Sequence, residues 1–134
     1  LDTIIVHDAA RPFFSSDLLK TLITLTQKHK AVIPAVKATD TIKRGLNQTV
    51  IETLNRNELY HIQTPQLFCR DTLFSAYENA VTNNLSATDD SSLVELIGIP
   101  IHIHESSPLN FKITTNADYL YANYLISTQS ELLQ

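Results

Sequence analysis

The chain has 134 residues, of which 43% are apolar and 18% charged, with a net charge of −4, five Pro, one Cys and only two glycines, Gly45 and Gly98. Collagen-like, low-complexity and disulfide-scaffold chains need Gly, Pro or Cys contents that this one lacks, and the lone Cys69 forms no internal bridge, which points to a reducing, cytoplasmic setting. No run approaches the ~18 apolar residues of a membrane span, and the lack of a dense basic run argues against nucleic acid as a partner.

Taken in chain order, Thr3-Ile4-Ile5-Val6 is a continuous β-branched run, as expected of a strand buried on both faces of a parallel sheet. It ends in His7-Asp8-Ala9-Ala10-Arg11-Pro12. Ligands of open α/β sheets sit just beyond the carboxyl ends of strands, so His7 to Arg11 is the first candidate for chemistry. Ser15 or Ser16 is predicted to cap a helix carrying Leu18, Leu19, Leu22, Ile23 and Leu25, ending near Lys28 to Lys30. Ala31 to Val36 reads as a second strand, with Pro34 marking an edge or a bulge. Strand, helix and strand together predict a crossover unit.

Thr39 to Arg44 and Gln48 to Leu54 are β-prone segments joined by Gly45-Leu46-Asn47, with few large apolar residues on a common face. They predict a projecting hairpin, an arm over about 39–58, too poor in apolar surface to stand alone. A partner subunit is the natural cover. Leu59 to Gln63 alternates like a strand and Thr64-Pro65-Gln66 stops it. Helices are expected over Arg70 to Asn83, with Leu73, Phe74, Tyr77, Ala80 and Val81 inward, and over Ser91 to Ile97, stopped by Gly98. Pro100 to Glu105 and Phe111 to Ile113 read as strands. Asn116 is expected to cap a last helix with Tyr119, Leu120, Tyr124 and Leu125 on one side.

Glycine-rich phosphate loops, paired Cys-x-x-Cys and nucleophile elbows are absent from this sequence. His102-x-His104 puts two imidazoles on one strand face, with no third ligand nearby in sequence. Asp8 could hold Mg2+, which favours one or two carboxylates plus substrate phosphates, and Arg11 is a bidentate phosphate donor. The alternative is an Asp8–Arg11 pair that simply closes a strand-to-helix turn. Thr88-Asp89-Asp90-Ser91 reads as helix capping rather than metal binding.

Six blocks in fixed order carry a resemblance: Val6 to Pro12, Thr39 to Lys43, Arg56 to Leu59, Gln63 to Phe68, Thr88 to Asp90 and Asn110 to Thr115. Together they resemble the 2-C-methyl-D-erythritol 4-phosphate cytidylyltransferase family, from Leu1 to about Ser127. The resemblance implies an α/β, Rossmann-like nucleotidyltransferase fold, of which this is the C-terminal portion. It also implies a homodimer whose arm reaches the neighbouring subunit, and transfer of CMP from CTP to a sugar-alcohol phosphate with Mg2+. By position it implies catalytic roles for Arg56 and Lys112, substrate contacts by Asp8, Arg11, Thr41 and Thr64, and nucleotide contacts by Asp8 and Ala9, with Asp8 the candidate metal ligand. Phe111 stands where that family often has Ile. The family's Gly-rich, CTP-wrapping N-terminal loop has no match here. With no Met and Leu1 as first residue, residues 1–134 are therefore expected to be a single partial domain of a longer protein. Ribitol 5-phosphate cytidylyltransferase, with a similar Asp-x-x-Arg-Pro and Thr-Pro-Gln pattern, is the related alternative. A non-catalytic dimerisation fragment is the alternative of another class.

Overall fold

The computed structural model describes residues 2–128. Strand β1 (Thr3–Val6) leads through helix α1 (Ser16–Thr26) to β2 (Ala31–Lys37); a hairpin of β3 (Lys43–Leu46) and β4 (Thr49–Thr53) follows. Next come a short 3-10 turn at Arg56–Glu58, β5 (Tyr60–Ile62), β6 (Gln66–Cys69), α2 (Arg70–Thr82), α3 (Asp90–Leu96), β7 (His102–Glu105) and α4 (Asn116–Ser127). The main sheet runs β1-β6-β2-β5, with β7 on the other edge of β2.

Residues of β2 and β6 alternate between two apolar layers, as the period of a strand requires. Ala31 and Phe68 face Leu73 and Ala76 of α2 and Val94 of α3, while Val32 and Leu67 face Leu22 of α1. The sheet is therefore covered by α1 on one side and by α2 and α3 on the other, an α/β architecture.

The predicted crossover from β1 to β2 exists, but β6 inserts between the two strands and pairs antiparallel with both. The parallel pair is β2 with β7, Val32 opposite His102 through Ala35 opposite Glu105. Among the described residues strand β1 has its one partner in β6, and Ile5 is exposed, which corrects the expectation of a strand buried on both faces. A β-branched run reports strand propensity, not the number of neighbours a strand acquires.

Pro34 is fully buried in the central strand, at a break in pairing. Val32 lies opposite Leu67 and Ala35 opposite Ile62, so Ile33 and Pro34 face the four residues Gln63 to Gln66. The missing N–H of Pro34 falls where no ladder bond is due, and its carbonyl accepts from the Gln63 N–H at 2.9 Å. The Thr64–Pro65 peptide in this step is cis.

Helix boundaries follow their caps. Ser15 caps α1 and accepts from the Leu18 N–H, but the helix ends at Thr26, so Lys28 to Lys30 lie beyond its last turn. Asp89 caps α3, and Gly98, at φ +74°, closes it with its N–H on the Glu95 carbonyl at 2.8 Å. In α2 the inward residues are Thr72, Leu73, Ala76 and Ala80, while Phe74, Tyr77 and Val81 form a second, exposed stripe. Residues 111–113 form no strand; they run as irregular backbone tied by the Ile113 N–H to the Ala10 carbonyl at 2.9 Å. The Phe111 ring sits between Phe13 and Tyr121, with centroids 5.6 and 5.1 Å away.

The arm is a separate two-stranded sheet, with Leu46, Val50 and Ile51 all exposed. Its turn is Asn47-Gln48, both with positive φ, one step later than predicted; Gly45 belongs to β3 at a register shift. Asn tolerates the left-handed region better than most residues, and a two-residue turn with both φ positive matches the twist of a hairpin.

Helix α4 starts at a Thr115–Asp118 capping box, one residue before the expected Asn116 cap. It buries Ala122 and Leu125, whereas Tyr119, Leu120 and Tyr124 are exposed. N–H and hydroxyl donors of Thr115 and Thr114 lower the Asp118 carboxyl from 3.8 to about 2. Folding thus favours the ionised form, whose stabilisation is complete above 3.8 and is lost as pH falls through about 2. Acid titration of helicity is expected to show this loss, and Asp118→Asn to remove that part of the acid dependence. An unchanged acid limb in the variant would place the effect elsewhere.

Candidate functional site

A cleft of about 300 Å³ opens at the carboxyl end of β1. Three segments distant in sequence form it: the loop after β1 with Asp8 and Arg11, the register step with Ile62, Gln63 and Thr64, and Lys112 from the stretch before α4. Thr88, Asp89 and Asp90 at the start of α3 close one side.

The turn after β1 is held by the Arg11 N–H on the Asp8 carbonyl at 3.0 Å. Arg11 then reaches across the cleft wall. Its Nη1 donates to the Asn110 carbonyl at 2.8 Å and its Nη2 to that of Ile62 at 3.3 Å. Its Nε lies 3.5 Å from the Asp8 carboxylate, without hydrogen-bond geometry, and is the buried guanidinium nitrogen left unpaired. The pair closes the turn, and the guanidinium works first as a strut between three segments.

Lys112 Nζ stands 3.2 Å from the same Asp8 carboxylate, and both side chains are partly exposed. An ion pair in contact with water is worth little by itself and can be exchanged for another anion. The cleft therefore carries one accessible ammonium and one largely buried guanidinium with the Asp8 carboxylate between them, and Asp89 and Asp90 also in its wall.

Thr64 Oγ1 accepts from the Asp8 N–H at 2.9 Å and sits 2.9 Å from His7 Nδ1. Asn110, 2% exposed, donates through Nδ2 to the Thr64 carbonyl at 2.9 Å and to Gln63 Oε1 at 3.3 Å. Gln66 links the step to α3, donating to Asp89 at 2.9 Å. Burial pushes the Asp89 carboxyl up, but hydrogen bonds from Ser92, Gln66 and Ser91 outweigh this and leave it below the usual carboxylate value. Asp89 is thereby committed to capping, as the sequence predicts. Asp90 accepts a hydrogen bond from Tyr77, which raises the phenol.

Asp8, Arg11, Thr64 and Lys112 are thus brought together, and Ala9 lies exposed in the turn beside them. Thr41 and Arg56 are not. Both are exposed on or beside the arm, where Arg56 Nη1 donates to the Thr39 carbonyl at 2.7 Å. Sequence reasoning gave no role to Asn110, Gln63 or Gln66, the uncharged amides that fix the cleft wall.

His102 and His104 gather no metal-ligating group; among the described residues no cluster of three or more His, Cys, Asp or Glu suits a metal ion. Instead His102 stacks on His29 at 4.1 Å, and burial, His29 and His104 all lower its basicity. A second hollow of about 300 Å³, between α1 and the stretch from His104 to Asn110, is lined by Asp17 and Glu105 and by no Lys or Arg. It does not suit an anion.

The family model described as IspD, 2-C-methyl-D-erythritol 4-phosphate cytidylyltransferase, matches residues 2–128. The enzyme of that name from Symbiobacterium thermophilum is 40% identical over 93% of the chain and 53% of its own length. That from Dictyoglomus thermophilum is 42% identical over 98% of the chain and 58% of its own. The crystal structure of the Thermus thermophilus enzyme superposes with a TM-score of 0.85 at 31% identity, over 93% of this chain and 62% of that one. The Francisella tularensis structure gives 0.85 at 39%, over 92% and 58%. The chain spans about half the length of the curated relatives it matches.

Proposed function

The chain belongs to the 2-C-methyl-D-erythritol 4-phosphate cytidylyltransferase family, and from that premise we propose that it supplies the acceptor side of a site transferring CMP from CTP to 2-C-methyl-D-erythritol 4-phosphate, with release of pyrophosphate. The observation that carries this is the convergence of Asp8, Arg11, Thr64 and Lys112 in one cleft.

The chemistry suits these residue types. The attacking group is a phosphate monoester, whose second pKa near 6 leaves it largely dianionic at neutral pH, so no protein base is needed. The task is to bring two anions together in line and to stabilise charge at the α-phosphorus. Lys112 is the cation free to leave Asp8 for a substrate phosphate, while Arg11 holds the wall that orients it. The arm, with its exposed Leu46, Val50 and Ile51, pairs with a second copy and carries Thr41 and Arg56 toward that copy's cleft.

Asp8 is the carboxylate that would hold Mg2+ in the single-carboxylate manner: it is partly exposed, and its ion pair with Lys112 is of the exchangeable, water-contacting kind, while Asp89 and Asp90 are engaged in hydrogen bonds. When bound, the ion would neutralise charge on the nucleotide phosphates. No helix among the described residues is long and apolar enough to cross a membrane. The single free Cys69 suits a reducing, cytoplasmic setting.

Pyrophosphate release tests the proposal, measured for the 134-residue chain and for the full-length coding sequence with CTP, Mg2+ and either acceptor. Turnover of methylerythritol phosphate by the full-length protein is expected, with little or none by the chain alone. Turnover of ribitol 5-phosphate only would overturn the acceptor assignment. Lys112→Ala should raise the acceptor concentration needed by about tenfold to a hundredfold, the range of a lost hydrogen bond to a charged group. A change confined to the CTP dependence would remove Lys112 from the acceptor phosphate.

A further inference from the structure

His7 sits between the two parts of the cleft and bonds to both. Its Nε2 lies 3.0 Å from the Arg11 carbonyl and its Nδ1 2.9 Å from Thr64 Oγ1, while Thr64 Oγ1 also meets the Asp8 N–H at 2.9 Å. The edge of the ring packs on Phe14, centroids 4.5 Å apart.

The directions of these bonds can be deduced. A carbonyl oxygen only accepts, so Nε2 carries a hydrogen; the opposite tautomer would set a bare nitrogen against the Arg11 oxygen. In the neutral ring Nδ1 is then an acceptor, and the hydrogen it receives comes from Thr64. The Asp8 N–H fills one lone pair of Thr64 Oγ1. What Thr64 has left for the cleft is its second lone pair.

We infer that His7 is a positioning residue: it commits the Thr64 hydroxyl hydrogen, so that Thr64 offers the acceptor molecule a hydrogen-bond acceptor matched to a polyol hydroxyl, and it braces the Asp8–Arg11 turn from the far side. This rests on the proposed cytidylyltransferase site and adds a residue to which the family resemblance assigned no role. A phosphate oxygen, itself only an acceptor, gains nothing from such a Thr64; a sugar-alcohol hydroxyl does.

Two measurements test it. In the 134-residue chain, nitrogen-15 NMR of the ring is expected to show His7 as the Nε2–H tautomer; an Nδ1–H ring would overturn the inference whether or not the protein turns over any substrate. In the full-length protein, His7→Phe keeps a ring against Phe14 but bonds to neither neighbour, whereas His7→Asn restores an oxygen where Nδ1 stood. His7→Phe should raise the KM for the polyol phosphate by about tenfold, the scale of one hydrogen bond, leave that for CTP unchanged, and be largely rescued by His7→Asn. Equal behaviour of the two variants, or a shift in the CTP dependence alone, would overturn it. If the wild-type protein turned over neither acceptor, the functional proposal would fail while the ring signal still decided the role of His7.

Discussion

Phe68→Ala is expected to lower the stability of the chain by about 3–5 kcal/mol, the range for removing an aromatic side chain from a packed core. Phe68 is fully buried, and β6 lies between β1 and β2. Its ring fills the layer shared by Ala31, Leu73, Ala76 and Val94. Three of those four neighbours are Ala or Val, and the larger Ile4, Leu93, Ile97, Ile99 and Ile101 pack around the cluster from its edges. Phe68→Leu, which keeps most of the volume, should cost clearly less. The shift in urea midpoint, with the denaturant slope unchanged, is the measurement. A loss below about 1 kcal/mol, the scale of an ordinary substitution, would mean that β6 is not the keystone of the sheet. The functional consequence is indirect, because β6 fixes one end of the register step that carries Thr64.

Asn110→Leu is expected to cost about 1–3 kcal/mol and to disable acceptor binding in the same stroke, since a buried acceptor stripped of its donor bears the desolvation penalty of that group. Leu matches Asn in side-chain branching, so the loss is chiefly chemical rather than steric. The Thr64 carbonyl and Gln63 Oε1 would lose their Nδ2 partner. The backbone of residue 110 would still accept from Arg11, but the stretch leading to Lys112 would no longer be pinned to the step. Thermal unfolding of the chain and acceptor KM of the full-length protein should move together. A stability loss with an unchanged KM would show that Asn110 supports the fold and not the site.

Much of this was legible in the sequence because caps, punctuation and period are local. Ser15, Asp89 and Gly98 announced helix ends through short-range bonding, and the poor apolar content of 39–58 announced an arm. What failed was non-local. Gln66 to Cys69 escaped notice because so short a strand carries too little period to be told from a loop. On α2 the period places Leu73 and Ala80 inward correctly but misses Thr72 and Ala76, favouring the larger, exposed Phe74, Tyr77 and Val81 in their stead. In α4 the aromatic residues signalled burial that is not found in the isolated chain. The charged members of the cleft could be named from the six ordered blocks. The amides that hold them could not, since an Asn or Gln shows its value only once its partners, here 46 residues apart in sequence for Asn110 and Thr64, are seen in contact.

The step between Val32 opposite Leu67 and Ala35 opposite Ile62 also constrains motion. Thr64 is anchored at mid-sheet, flanked by the fully buried Pro65 and facing the fully buried Pro34, so the floor of the cleft cannot travel toward a ligand without shearing the central strand. Any change of cleft shape is therefore expected at its rims, where the exposed Lys112 side chain stands and where the proposed neighbouring arm would arrive. The sheet is thus the anvil of the site: ligand capture is expected to reshape the periphery and leave the sheet still.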